Sequence, residues 1–184
     1  MVKPWCDGSL HLITLPKTMS RAALLKNPAH LIALGFGSGL SPVAPGTSGT
    51  LWAWATFLIL QSWFNTAALG WLCLAALLLG WWACTTSVEL LDEPDPGMIV
   101  WDEIVAFWLV LWIWLPASFW GQLLAFVLFR IFDASKWGPV GWADRLCHAQ
   151  RGWLAGWGIL FDDLVAAFCT LVVLSLAVAG GWLQ

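Results

Sequence analysis

A chain of 184 residues that is 60% hydrophobic and 10% charged, with a mean hydropathy of +0.79, is not an ordinary soluble domain, since those carry about 25% charged residues. Its formal net charge of −3 excludes a basic nucleic-acid binder. Five cysteines, Cys6, Cys73, Cys84, Cys147 and Cys169, are odd in number and lie far apart in apolar runs, so they read as reduced structural thiols and not as a disulfide frame or a metal knuckle.

Charges fall only in segments 1–30, 89–103 and 130–163. The first carries Lys3, Lys17, Arg21 and Lys26 against Asp7 and has no apolar core, so it reads as a cytoplasmic lead-in without a cleavable signal. The uncharged stretch 31–88 holds a Gly/Pro-rich broken segment and then room for two crossings of about 20 residues each, predicted as helices 50–64 and 68–88 with a turn near Asn65. Stretch 104–129 is broken by Pro116, which favours two short arms of a hairpin, 98–115 and 118–134, over one kinked helix. A last crossing is expected over 160–182. The predicted fold is an all-α, polytopic membrane bundle of about five membrane helices, forming a single membrane-embedded domain over 31–184. Seventeen tryptophans without a tyrosine suit a membrane interface.

Charged side chains inside hydrocarbon are costly and mark function. Asp102 and Glu103 stand at the start of one predicted helix, Asp133 near the end of the next, and Asp162 and Asp163 at the start of the last. A hairpin brings these ends to one membrane face, where five acids repel one another unless protonated, paired with arginine or neutralised by a cation. Oxygen ligands without His or Cys favour a hard ion such as Mg²⁺. First-turn acids also cap helices, and Arg130, three residues before Asp133, is placed to pair with it.

Residues 35–50, GFGSGLSPVAPGTSGT, expose backbone N–H groups ahead of a helix, as an anion cradle does; Ser38, Gly46, Thr47 and Ser48 are its candidate phosphate contacts. Glycine-mediated close packing is the alternative for this segment. It lacks the lysine of a nucleotide-binding loop. Among Arg130, Lys136, Arg145, His148 and Arg151, Arg130 and Lys136 are candidates to clamp a phosphate, while the others serve equally as topology signals. Cys147 has no arginine six residues later, and no Gly-x-Ser-x-Gly elbow occurs. A cation transporter or channel, or a non-catalytic membrane subunit, would also use intramembrane acids.

Five ordered motifs carry a family resemblance: Asn27-Pro28-Ala29-His30-Leu31; Gly35 to Gly49; Val100-Trp101-Asp102-Glu103; Phe129-Arg130-Ile131-Phe132-Asp133 with Lys136; and Gly158-Ile159-Leu160-Phe161-Asp162-Asp163. From Asn27 to Ala167 the chain resembles the phosphatidylglycerophosphatase A family. Trp137 followed by Gly138-Pro139, and a longer stretch between Arg145 and Gly156, depart from the family pattern. The resemblance implies a bacterial inner-membrane enzyme with its site facing the cytoplasm. That enzyme would remove the terminal phosphate of phosphatidylglycerophosphate with Mg²⁺, giving phosphatidylglycerol. Asp102, Glu103, Asp133, Asp162 and Asp163 would hold the ion or act on water, and no nucleotide cofactor would be needed.

Overall fold

The computed structural model describes residues 24–91, 96–115, 117–136, 138–147 and 153–181. Residues 1–23 with Cys6, and also Pro116, Trp137, His148 and Arg151, lie outside the described residues, as does the side chain of Cys147. Among the described residues every regular element is helical and none is a strand. The elements are α1 (Pro28–Ala33), a 3-10 turn (Gly35–Leu40), α2 (Pro45–Trp63), α3 (Thr66–Leu91), α4 (Trp101–Ile113), α5 (Phe119–Ser135), α6 (Pro139–Cys147) and α7 (Trp153–Ala179).

Helix boundaries follow local chemistry. Asn27 Oδ1 accepts from the Ala29 N–H at 2.9 Å, and Pro28 occupies the first turn of α1, where its missing N–H costs nothing. The expected turn near Asn65 is present, and Asn65 Oδ1 accepts from the Ala68 N–H at 2.9 Å to cap α3. Helix α2 begins at Pro45, five residues before the predicted start. With proline in the first turn, Gly46 and Gly49 are helical and not part of an irregular loop.

The predicted break inside 104–129 is real: α4 stops at Ile113, and Ser118 caps α5 by accepting from the Gly121 N–H at 3.2 Å. The two arms return antiparallel, since Glu103 in the first turn of α4 meets Arg130 near the end of α5. Phe107 packs against Phe126 and Phe129 along the seam, with ring centroids 5.8 and 5.5 Å apart.

Helix α4 is the hub, touching α2, α3, α5 and α7. Beyond the two acids of its first turn it is apolar on every side, with Trp101, Ile104, Val105, Ala106, Phe107, Trp108, Val110 and Leu111 all buried, which is the pattern of a helix enclosed by others. Its 13 residues rise only about 20 Å, short of a hydrocarbon core of about 30 Å.

Indole N–H groups tie the hub to its neighbours. Trp108 donates to the Ala53 carbonyl of α2 at 2.9 Å, Trp101 to Ala76 of α3 at 3.0 Å, and Trp112 to Thr66 at 2.7 Å. Trp54 of α2 donates to Gln122 Oε1 of α5 at 2.7 Å, and Trp81 of α3 to the Trp153 carbonyl of α7 at 2.7 Å. Several tryptophans expected at the interface thus act as interhelical donors; Trp63, Trp71 and Trp120 are outward-facing, 71 to 80% exposed.

Helices α3 and α7 are long and apolar enough to cross a membrane, and only 33% and 39% of their most apolar windows are buried. A soluble core helix would be mostly enclosed. Exposed Leu78, Phe168 and Leu176 fit helices bathed by lipid. Helix α7 starts seven residues before the predicted 160–182. Gly156 continues the helix because it packs where a Cβ would fall on Thr85 and Trp81 of α3.

Candidate active site

The site begins where α2 crosses the first turn of α4. Asp102 and Glu103 occupy that turn, and Asp102 Oδ1 accepts from the Glu103 N–H at 3.0 Å, as helix-start acids do. Glu103 leans towards α2, where a Cβ on Gly46 would land on its carboxylate and 3.0 Å from Arg130 Nη2. One turn on, a Cβ on Gly49 would lie 2.8 Å from Val100 and 3.4 Å from Glu103 Oε2. Glycine at both positions is what lets the helix backbone approach this acid.

Arg130 joins the helices here. Its Nη1 lies 3.3 Å from Glu103 Oε1 and 3.4 Å from Thr50 Oγ1, and it also donates to Asp133 Oδ2. A single guanidinium therefore links α2, α4 and α5, and its planar fork suits such multiple contacts. Thr50 is itself fixed by donating to the Gly46 carbonyl at 2.8 Å.

A second cation stands at the end of α5. Lys136 is the C-cap residue, in left-handed conformation with φ 47°. Its ammonium donates to Asp144 Oδ1 on α6 and to Asp162 Oδ2 on α7, the latter at 2.9 Å. Burial alone would lower the Lys136 pKa, but the Asp162 charge and the hydrogen bonds to both carboxylates outweigh it and raise it above the usual lysine value. Lys136 is an ammonium at any physiological pH.

Asp162 and Asp163 are not at a helix start as expected. Because α7 begins at Trp153, they stand more than two turns inside it, so first-turn capping cannot account for them. Asp163 is 3% exposed and interacts electrostatically with Asp133, Asp102, Asp162 and Glu103. The five acids picked from sequence thus lie in one electrostatic neighbourhood. Glu103 Oε2 and Asp163 Oδ2 are buried there without a hydrogen-bond partner. Among the described residues no three His, Cys, Asp or Glu side chains stand together as a formed metal-ligand group; Arg130 pairs with Glu103 and Asp133, and Lys136 with Asp162.

Of the candidate phosphate contacts, Gly46, Arg130 and Lys136 border the acids. Ser38 spends its hydroxyl on the Gly35 carbonyl at 2.9 Å, within its own turn. Thr47 and Ser48 are half-buried in the first turn of α2. Close packing is what residues 35–50 show here, since Gly39 packs where a Cβ would strike the Met98 carbonyl and Gly46, at the start of α2, packs against Glu103.

Sequence reasoning missed Thr50 and Asp144. Thr50 lies one turn after Gly46 on the same helix face, a spacing visible in the sequence; Asp144 carried no comparable signal. His30, within the first family motif, is buried against Ser87, its Nδ1 3.0 Å from Ser87 Oγ, where it fastens α1 to α3.

Buried acids and two cations at one end of a hairpin, within helices that have exposed apolar flanks, define a membrane-type helical protein with a polyacidic site. The chain belongs to the phosphatidylglycerophosphatase A family, whose sequence profile matches residues 31–178. It is 38% identical over 156 residues to the phosphatidylglycerophosphatase A of Escherichia coli K12, covering 82% of this chain and 83% of that one. It is 37% identical over 150 residues to the Haemophilus influenzae protein of the same name, covering 81% and 88%. No solved structure matches it.

Proposed function

We propose that this chain is a Mg²⁺-dependent lipid phosphatase that hydrolyses the terminal phosphate monoester of phosphatidylglycerophosphate to phosphatidylglycerol and phosphate. The observation that carries the reading is the pair of buried, unpartnered carboxylate oxygens, Glu103 Oε2 and Asp163 Oδ2, in a site where two cationic side chains face five acids. Leaving such an oxygen unpaired costs about 1–3 kcal/mol or more. A hard cation removes that cost, and all-oxygen donors suit one.

Asp102, Glu103, Asp133, Asp162 and Asp163 are the residues that would hold Mg²⁺. When bound, the ion supplies positive charge to the phosphoryl oxygens and acidifies water. Arg130, held between Glu103, Asp133 and Thr50, offers its remaining N–H groups to phosphate. Lys136, paired with Asp162, provides a second charge beside the acids. One carboxylate of the group would accept a proton from the attacking water as the water oxygen bonds to phosphorus and the P–O ester bond breaks, and that carboxyl group would then pass the proton to the departing glycerol oxygen. Phosphate monoesters are among the slowest compounds to hydrolyse unaided, so preorganised charge must supply most of the roughly 20 kcal/mol needed.

The same reading sets five membrane helices, α2, α3, α4, α5 and α7, in the inner membrane, α4 and α5 as a short hairpin, with the site facing the cytoplasm. Its support is the basic excess of residues 1–30 and the antiparallel α4–α5 pair, which returns both acidic ends to one face. Cation transport is disfavoured by Arg130 and Lys136, fixed positive charges in any cation path through these acids.

Phosphate release from phosphatidylglycerophosphate in detergent, with Mg²⁺ and then with excess chelator, tests the function. Release that survives chelation removes the ion, and no release with any divalent cation removes the phosphatase. Cysteine labelling at positions 89 and 136 should report one side of the membrane.

A further inference from the structure

We propose that Asp144 is a positioning residue for Lys136: it anchors the ammonium at the rim of the acidic site, so that the lysine is presented to the substrate phosphate. The assignment rests on the phosphatase reading above and deepens it.

Lys136 has two carboxylate partners on two different helices, and they are not equivalent. Asp162 belongs to the acidic group, its side chain 12% exposed; Asp144 stands outside that group on α6, its side chain 21% exposed. Five acids pull a lone ammonium inward, and Asp144 is a counter-charge on the outer side.

The backbone is shaped for this contact. Lys136 adopts φ 47°, a left-handed conformation that strains a non-glycine residue and turns the chain off the α5 axis. Gly138 follows at φ 58°. Gly141 then packs so closely that a Cβ would fall on the Lys136 carbonyl. With those two glycines α6 starts directly over Lys136, and one turn of helix beyond Gly141 brings Asp144 against Nζ.

When the phosphate, or a cation, competes for Asp162, the bond between Lys136 and Asp144 remains, and the ammonium pivots about it with little loss of position. Without Asp144 the lysine either collapses onto the acids or swings to solvent, since it is already 37% exposed. In both cases it binds phosphate less well. A contact of this kind acts on substrate and transition state alike, so its loss appears in KM and not in kcat.

The test uses the full chain in detergent with phosphatidylglycerophosphate, together with the affinity for inorganic phosphate measured by thermal shift. Asp144→Asn should raise KM and weaken phosphate binding about tenfold while kcat stays within about twofold, and Lys136→Met should weaken phosphate binding at least as much. The double variant should be no worse than Lys136→Met alone, and Asp144→Glu should recover most of the loss. The assignment is overturned if Asp144→Asn binds phosphate as the wild type does, if the two effects multiply, or if Asp144→Asn only lowers the melting temperature, which would make the ion pair a clasp for α6. Wild-type protein that binds phosphate but releases none from the lipid refutes the phosphatase reading while leaving the lysine assignment to be decided by the phosphate affinities.

Discussion

Replacing Gly46 by alanine should separate folding from chemistry. The added Cβ falls on the Glu103 carboxylate and 3.0 Å from Arg130 Nη2. Glu103 must then yield, because the α2 backbone is held against Val100 through Gly49. In stability the substitution has two opposed effects: alanine gains about 1 kcal/mol over glycine inside a helix, and loosening one charge-assisted hydrogen bond costs about 1.5–3 kcal/mol. The net loss is about 0.5–2 kcal/mol, a shift of a few degrees in melting temperature. Chemistry suffers more. A displacement of about 1 Å in a positioned catalytic group costs about 100-fold in rate, equivalent to about 2.7 kcal/mol of barrier. Phosphate release in detergent and the melting temperature of the same sample should therefore diverge, with near-normal folding and about 1% of the turnover. Gly37→Ala is the control, since its site is open although its φ of +100° strains any side chain. Turnover of Gly46→Ala within threefold of wild type would show that Glu103 is not part of the chemistry.

Asp133→Asn and Asp162→Asn should each lower turnover by at least about 100-fold with the bundle intact by melting temperature and gel filtration; retained activity in both moves the site elsewhere. Arg130→Lys should lower turnover at least about tenfold, because one ammonium cannot reach Glu103, Asp133 and Thr50 together, and rescue to wild-type rates would contradict its bridging role. Trp108→Phe, which keeps an aromatic ring but removes the donor to Ala53 and part of a buried indole, should cost at least about 1 kcal/mol in thermal or denaturant melts. The Lys136 pKa is raised in the fold, so its stabilising contribution is fully present below the unfolded lysine value of about 10.4 and is lost only as pH climbs through the higher folded value. The difference in melting temperature between wild type and Lys136→Met, in metal-free buffer, should then stay constant from about pH 7 to 9.5.

Charge placement made much of the fold legible. Uncharged runs located the five long helices, and Pro116 with the acids on either side of it anticipated the antiparallel pair that Glu103 and Arg130 close. The acids themselves stood out because an apolar chain carries so few charges. What stayed hidden was set by tertiary contact. Pro45 to Gly49 looks like a helix breaker, yet proline fits a first turn and both glycines are needed where α2 meets Glu103 and Val100. Gly156, packed against Thr85 and Trp81 of α3, masked two further turns of α7 for the same reason. Asp144 resembled any surface acid until α6 folded over Lys136.

Hydropathy decides only whether a segment enters lipid; it says nothing about which rotation or depth the segment takes beside its neighbours. In oil, where every apolar flank is equally content, the directional indole-to-carbonyl bonds supply that missing registration. Swapping these rings for leucine or phenylalanine would leave the insertion profile nearly unchanged and still allow the helices to slide, so a homologue with the same apolar silhouette but different donors would need another device to keep its carboxylates in step.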